Sequence, residues 1–156
     1  MKSKRVIVLF GILAAVVAYL VRQVRSAAAT GLDQAQNRRL LAAIQAARAS
    51  TMAAFDSNAP DASQAEARDQ KAAADAGALC RAFEDLQPLL RPRIGPVVAS
   101  FVETIAAAQL QIMAFAINRK NRGNPDATQI EAERNERAEF RQKAEPLVAS
   151  LVQALS

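Results

Sequence analysis

The chain begins with a continuous apolar run and continues with segments in which apolar and polar residues alternate at helical spacing. Residues 6–21 hold nothing more polar than Gly11 and Tyr19, and basic residues stand on both sides of them. A helix of this length rises about 24 Å, slightly less than the hydrocarbon core of a bilayer, and long basic side chains can bridge the difference. We therefore predict that residues 1–29 are a membrane anchor or signal segment.

The apolar run offers positions for contact with membrane lipid. The expected membrane-anchoring residues are Val6, Leu9, Phe10, Leu13, Val17, Tyr19, Leu20 and Val21. Arg5, Arg22 and Arg25 are expected at the membrane surface, and we expect a single-pass protein with a cytoplasmic N-terminus and the helical domain outside. The alternative is export after signal cleavage near Ala29, because small residues precede Thr30. In either case the folded domain starts near Thr30.

Four amphipathic segments follow this leader. Their apolar residues recur at three- and four-residue spacing, and short stretches rich in Pro, Gly, Asn and Asp separate them. The pattern predicts helices over residues 31–56, 62–87, 96–121 and 125–155. Similar lengths and short connections predict an all-α, up-down-up-down four-helix bundle over residues 30–156.

Local residues set the expected helix ends. Thr30 starts a Ser/Thr-x-x-acid capping-box pattern for the first helix, and one uninterrupted helix through Gly31 is the alternative. Asn124 and Pro125 are expected as the N-cap and first residue of the fourth helix. Pro146 should kink that helix.

The third predicted helix has the most regular apolar stripe. Its expected core residues are Val98, Phe101, Ile105, Ala108, Ile112 and Phe115, widened by Val102, Ala106, Met113 and Ile117. Residues 97–117 contain one charge, Glu103, and are long enough to cross a bilayer. Because polar and small residues share one face, we interpret this segment as the most buried helix of the bundle, and a second membrane span is the alternative.

Charge is divided unevenly along the chain. Five of the 20 Lys and Arg residues lie in the first 25 positions, where there is no acid. The remaining 15 basic residues balance all 15 acids, so residues 26–156 have no net charge. A nucleic-acid binder needs excess Lys and Arg to displace counterions from phosphate. We therefore expect no nucleic-acid partner despite the net charge of +5.

The sequence carries no recognisable catalytic or metal-binding pattern. Histidine is absent and Cys80 is the single cysteine, so the commonest general base and metal ligand are missing. Acids of the fourth helix alternate with basic residues, which predicts solvated i,i+4 pairs of Glu133 with Arg137 and of Glu139 with Lys143. We expect no metal, no cofactor and no enzymatic activity. Cys80 is expected to be a small buried hydrophobe or, alternatively, a link between two copies.

Basic residues near the helix ends are candidates for contact with partners. In the up-down order, the connection between the second and third helices lies on the membrane side, where Arg91 and Arg93 would face anionic headgroups. Arg119, Lys120 and Arg122 would gather at the opposite end and form a patch for an acidic partner.

These observations favour an interaction protein over an enzyme. The leading hypothesis is a membrane-anchored structural subunit of a bacterial envelope or phage virion-membrane assembly, with protein partners or further copies of itself. One alternative is an extracytoplasmic small-molecule sensor or carrier with Glu103, Gln109 or Gln111 turned inward. The other is a two-span pore or lysis-type membrane protein.

Overall fold

A computed structural model describes residues 30–56, 62–123 and 125–156. The predicted anchor at 1–29, with Arg5, Arg22, Arg25 and the membrane-anchoring positions, lies outside the described residues. Within them the protein is all-α and contains four long helices and no strand. The predicted all-α, four-helix class is therefore confirmed.

The helices have similar lengths and follow one another through short connections. They are α1 (Gln34–Ala54), α2 (Ala62–Leu86), α3 (Gly95–Arg122) and α4 (Ala127–Leu155), with a short 3₁₀ turn at Gln87–Leu89 after α2. Each helix packs against the next one along the chain, and α4 packs back against α1. This closed order is that of a four-helix bundle.

Side-chain contacts show that successive helices run antiparallel. Arg39 near the start of α1 donates a 2.5 Å hydrogen bond to Asp85 near the end of α2. Arg119 near the end of α3 contacts Asp69 near the start of α2 and Glu133 near the start of α4. The bundle therefore has two distinct ends, one of which contains Thr30 and the connection between α2 and α3.

The same direction holds between α1 and α4. Arg48 pairs with Glu145, and Phe55, just beyond α1, packs its ring 6.2 Å from the ring of Phe140. Residue numbers rise along α1 while their partners' numbers fall along α4, so these helices are also antiparallel. The C-terminus consequently lies at the Thr30 end.

Apolar residues from all four helices meet along the bundle axis. The buried apolar residues are Leu32, Leu40, Ile44, Ala47, Ala54, Phe55, Ala72, Ala76, Leu79, Ala82, Leu86, Val98, Phe101, Ile105, Ala108, Ile112, Phe140, Ala144, Val148, Leu151 and Leu155. Nearly all of them recur at helical spacing, which is why a single face of each helix builds the core.

The start of α1 differs from the prediction. Asp33, not Thr30, is the N-cap: its carboxylate accepts from the backbone N–H of Gln36 at 2.8 Å, and the Gln36 side chain accepts from the Asp33 N–H at 2.9 Å. The Thr30 hydroxyl instead accepts from the N–H of Leu32 at 3.2 Å, two residues on. Continuous helix through Gly31 is also wrong, because residues 31–33 are not helical.

Packing of the chain against the α2–α3 connection explains this late start. Gly31 has a φ of +83°, and a Cβ at that position would lie 2.1 Å from the carbonyl oxygen of Leu89. Beside this contact, the N–H of Arg91 donates to the carbonyl of Thr30 at 2.8 Å. Only glycine fits so close to a neighbouring backbone with this φ. The segment that leads into α1 is therefore held against the connection at residues 87–94.

The fourth helix also begins slightly later than predicted. Asp126 is its N-cap and accepts from the N–H of Gln129 at 2.8 Å, so Pro125 precedes the helix. Asn124 lies outside the described residues. Pro146 is inside α4, which is assigned as one helix from Ala127 to Leu155. The kink at Pro146 stays a prediction.

Candidate functional site

The outward face of α3 carries large apolar side chains that the bundle does not cover. Leu110 is 69% exposed, Met113 58% and Ile117 56%. Ala106 lies on the same face and is also exposed. The prediction that Ala106, Met113 and Ile117 widen the core stripe is therefore wrong. These residues form a second apolar stripe on the opposite side of the helix.

This outer stripe ends in a charge at each end. Glu103 lies three residues before Ala106, and Lys120 lies three residues after Ile117. Both are exposed. Neither forms an ion pair with any residue that the structure describes. We call the six positions the outer seam: Glu103, Ala106, Leu110, Met113, Ile117 and Lys120.

The two stripes together explain the high hydropathy of α3. It is long and apolar enough to cross a membrane by length and composition, and only 28% of the residues in its apolar 18-residue window are buried. A surface helix of a bundle typically has one apolar face, whereas α3 has two. The interpretation of residues 97–117 as the most buried helix of the bundle is wrong, because α3 buries five of its 28 residues whereas α1 buries seven of its 21.

A buried ion triad closes the end of the bundle opposite Thr30. Arg119 of α3 extends one guanidinium nitrogen to Asp69 of α2 and places the other 2.9 Å from a carboxylate oxygen of Glu133 of α4. The amide of Gln129 donates to the same Glu133 oxygen at 3.3 Å. The Glu133 side chain is 2% exposed, and those of Arg119 and Asp69 are 15% and 14% exposed. One cation thus holds three helices together.

The triad contains two carboxylates for one guanidinium, which affects Asp69. Burial raises the pKa of Asp69 above its usual 3.8, and Arg119 partly opposes this effect by charge and hydrogen bonding. The nearby charges of Glu133 and Glu66 raise the pKa of Asp69 further. One Asp69 oxygen, Oδ1, is buried without a hydrogen-bond partner. Removing a carboxylate from water disfavours its ionised form.

The triad corrects one prediction and sits beside another that is confirmed. Glu133 does not lie on the solvated face of α4, and its partner is Arg119 instead of Arg137. Glu139 and Lys143 do form the expected exposed i,i+4 pair, at 2.5 Å. The difference arises because Glu133 continues the buried face of α4, seven residues before Phe140.

The three basic residues predicted as a partner patch have different surroundings. Arg119 is bound within the bundle by two carboxylates. Lys120 and Arg122 are exposed in the last turn of α3. A patch for an acidic partner at this end stays a prediction, and within it only Lys120 and Arg122 offer free access.

Arg91 and Arg93 occupy the opposite end of the bundle, on the α2–α3 connection. Both are exposed. The backbone hydrogen bond from Arg91 to Thr30 fixes this connection beside the start of the domain. Their predicted contact with membrane headgroups stays a prediction.

The polar residues considered for a ligand site are dispersed. Glu103 and Gln111 are exposed on the outside of α3. Gln109 is half-buried, and its amide donates to the Thr51 hydroxyl at 3.5 Å. Cys80 is a free, half-buried thiol on α2. Two surface depressions lie along α4 and open to solvent, one around Asn135 to Lys143 and the other beside Met52 and Pro146.

Among the residues that the structure describes, the acidic side chains and Cys80 do not gather around a common point. In residues 30–56, 62–123 and 125–156, no group of three or more of them is placed to hold a metal ion. The features that the structure does assemble are the outer seam and the buried triad.

Comparison with protein-family models, curated protein sequences and solved structures finds no match to this chain.

Proposed function

We propose that this protein is a membrane-anchored helical subunit that binds another protein through the outer seam of α3 and performs no catalysis. The single observation that carries the proposal is the exposure of Leu110, Met113 and Ile117 along one helix face. Large apolar side chains that adjoin one another on a surface are typical of interaction sites, whereas isolated ones are common everywhere.

The position of the seam supports binding to protein. Its apolar residues lie between Glu103 and Lys120, and the exposed polar residues Gln111 and Asn118 lie farther round the same helix. Protein interfaces combine an apolar centre with a polar rim in this way. A surface that faces lipid disfavours a charge such as Glu103, because an ionised side chain is costly in hydrocarbon.

The membrane part of the proposal rests on the leader. Its apolar run and flanking basic residues have the length and charge of an anchor. At the folded domain, Thr30 is hydrogen-bonded to the connection that carries Arg91 and Arg93. A chain entering at Thr30 from a bilayer would bring these two arginines near anionic headgroups, which adds about 1 kcal/mol of attraction for each basic residue.

Membrane attachment and protein binding are tested separately. Alkaline extraction of membranes from cells that make the intact chain should leave the protein in the pellet, and N-terminal sequencing or intact mass should show residues 1–29 retained. A soluble, shortened chain would contradict the anchor. Purification in mild detergent should give an assembly larger than one chain, and a monomer at every concentration would contradict protein binding.

The two-span alternative is supported by one observation, the length and apolarity of α3. Leaving the bundle for a bilayer would expose the core faces of three other helices, and Arg119 would leave Asp69 and Glu133 without their cation. A topology reporter fused at Ser57 and another at Ser156 distinguish the cases. Signals from the same side of the membrane exclude a second span, and signals from opposite sides would establish it.

A further inference from the structure

We infer that the outer seam of α3 binds the outer seam of a second copy of this chain, with the two α3 helices antiparallel about a two-fold axis. This inference rests on the proposed function in that it names the partner of the same surface. It does not need the membrane anchor, because every residue it uses lies in the described bundle.

The spacing of the seam is that of a coiled-coil contact. Its six positions are separated by three, four, three, four and three residues. Alternating steps of three and four place side chains on the a and d positions of a heptad. Glu103, Leu110 and Ile117 then occupy a, and Ala106, Met113 and Lys120 occupy d. A seam about 25 Å long results.

The seam is complementary to itself when it is reversed. If a two-fold axis passes midway between Leu110 and Met113, Leu110 of one copy faces Met113 of the other. Ala106 then faces Ile117, which pairs a small side chain with a large one. Each a position meets a d position, so the apolar layers alternate in size and can interdigitate.

The charges at the two ends obey the same symmetry. Glu103 of one copy faces Lys120 of the other, and the two-fold axis repeats the pair at the far end of the seam. In a parallel arrangement Glu103 would meet Glu103 and Lys120 would meet Lys120, which repels at both ends. Both side chains are exposed and lack an ion pair within the described bundle. Charge therefore selects the antiparallel dimer.

Small residues beside the seam leave room for the second helix. Ala107 and Ala114 lie next to it and are exposed. In the antiparallel pairing, Ala107 of one copy approaches Ala114 of the second copy, and the two-fold axis repeats this contact. Alanine at such positions lets two helices approach closely, because no long side chain separates the backbones.

The size of the contact sets the expected strength. A standard stable interface buries about 800 Å² on each partner, and a single helix face buries less than this. We therefore expect a dimer that dissociates on dilution. An anchor that holds both copies in one membrane would strengthen the dimer by raising their effective concentration.

Charge reversal tests the pairing directly in the full chain, purified in mild detergent and followed by sedimentation over a range of concentrations. Glu103→Lys creates two Lys–Lys contacts across the axis, and Lys120→Glu creates two Glu–Glu contacts. Each single variant should raise the dimer Kd by roughly tenfold. The double variant Glu103→Lys/Lys120→Glu should restore the original Kd.

Mixing the two single variants gives the most specific result. In a heterodimer of Glu103→Lys with Lys120→Glu, both end contacts are again opposite in charge, so the equimolar mixture should associate with the original Kd. Glu131→Lys is the matched control, because it makes the same change of charge at an exposed position of α4. It should leave the Kd unchanged.

Other outcomes overturn the inference. A monomer at all concentrations, single variants that associate as tightly as the original chain, or a mixture that stays dissociated would each do so. Single variants without effect together with a tighter mixture would show a parallel dimer instead. None of these results changes alkaline extraction from membranes, so failure of the dimer and failure of the proposed anchor are distinguished.

Discussion

The two faces of α3 contain similar side chains in opposite surroundings. On the inner face Phe101 and Ile105 are at most 1% exposed, whereas on the outer face Leu110 and Met113 are more than half exposed. Both stripes follow the same spacing in the sequence, so periodicity alone does not reveal which one the bundle covers. The number of neighbouring helices decides, because a helix in a four-helix bundle is covered on one side only.

The largest expected effect contrasts these faces by truncation. Phe101→Ala should lower the free energy of unfolding by about 3–5 kcal/mol, because it removes a fully buried ring from the core. Leu110→Ala should change it by less than about 0.5 kcal/mol, because that side chain is mostly in solvent. Denaturant unfolding of both variants at a concentration where the chain is monomeric measures the difference. Equal losses would show that the outer seam belongs to the folding core.

A nearly equal effect is expected where the inner stripe of α3 ends in a charge. Arg119→Met should destabilise the fold by about 3–5 kcal/mol, because Glu133 and Asp69 stay buried without a cation. Replacing all three members by apolar residues, Asp69→Leu/Arg119→Met/Glu133→Leu, should restore most of the stability. Lys120→Met is the matched control on the exposed side and should have little effect. A triple variant as unstable as Arg119→Met would contradict the explanation by uncompensated charge.

Two glycines extend the contrast between crowded and open surroundings. Gly31 and Gly123 both have a φ of +83°, but only Gly31 has a backbone atom within reach of an added Cβ. Gly123→Ala should cost about 1–3 kcal/mol from backbone conformation alone, because its φ of 83° and ψ of −140° suit only glycine. Gly31→Ala should cost about 2–4 kcal/mol, because the clash with Leu89 is added. Thermal unfolding of the two variants measures this, and equal costs would contradict the close packing of the domain entry.

A smaller, pH-dependent effect is expected at Asp69. Its pKa is raised above 3.8, so between that pH and the folded-state pKa the folded chain keeps a proton that the unfolded chain has released. The stabilisation from this group is complete below 3.8 and is lost as the pH rises through the folded-state pKa. Asp69→Asn does not titrate. The stability of the original chain relative to Asp69→Asn should therefore fall with rising pH, and a rise would contradict the burial of this carboxylate.

The helices and their core faces could be predicted from the sequence because the stripes are regular. The sequence pattern does not reveal the buried triad by hydropathy, although Asp69 and Arg119 continue core stripes by one helical step and Glu133 by two. Asp69 precedes Ala72 by three residues, Arg119 follows Phe115 by four, and Glu133 precedes Phe140 by seven. One basic residue and two acidic residues thus extend buried stripes at the same end of the bundle. Such a combination indicates a buried ion network.

The start of α1 and the direction of the outer seam could not be predicted in the same way. The shift from Thr30 to Asp33 depends on the contact of Gly31 with Leu89, which is distant in sequence. The packing of α2 and α4 against α3 decides which of its faces points toward the bundle. Met113 and Ile117 are exposed because they lie on the other face. Hydropathy predicts that these residues belong to the core because they are apolar. It does not show whether neighbouring helices cover the face on which they lie.

We claim that the outer seam serves association and not folding, and two substitutions at neighbouring positions test this. Leu110→Asp puts a charge at the centre of the seam, and Gln111→Asp puts the same charge on the next exposed residue of α3. Sedimentation of the full chain should show a Kd at least about tenfold higher for Leu110→Asp and no change for Gln111→Asp, with similar unfolding midpoints for both. Equal association of the two variants would contradict the claim.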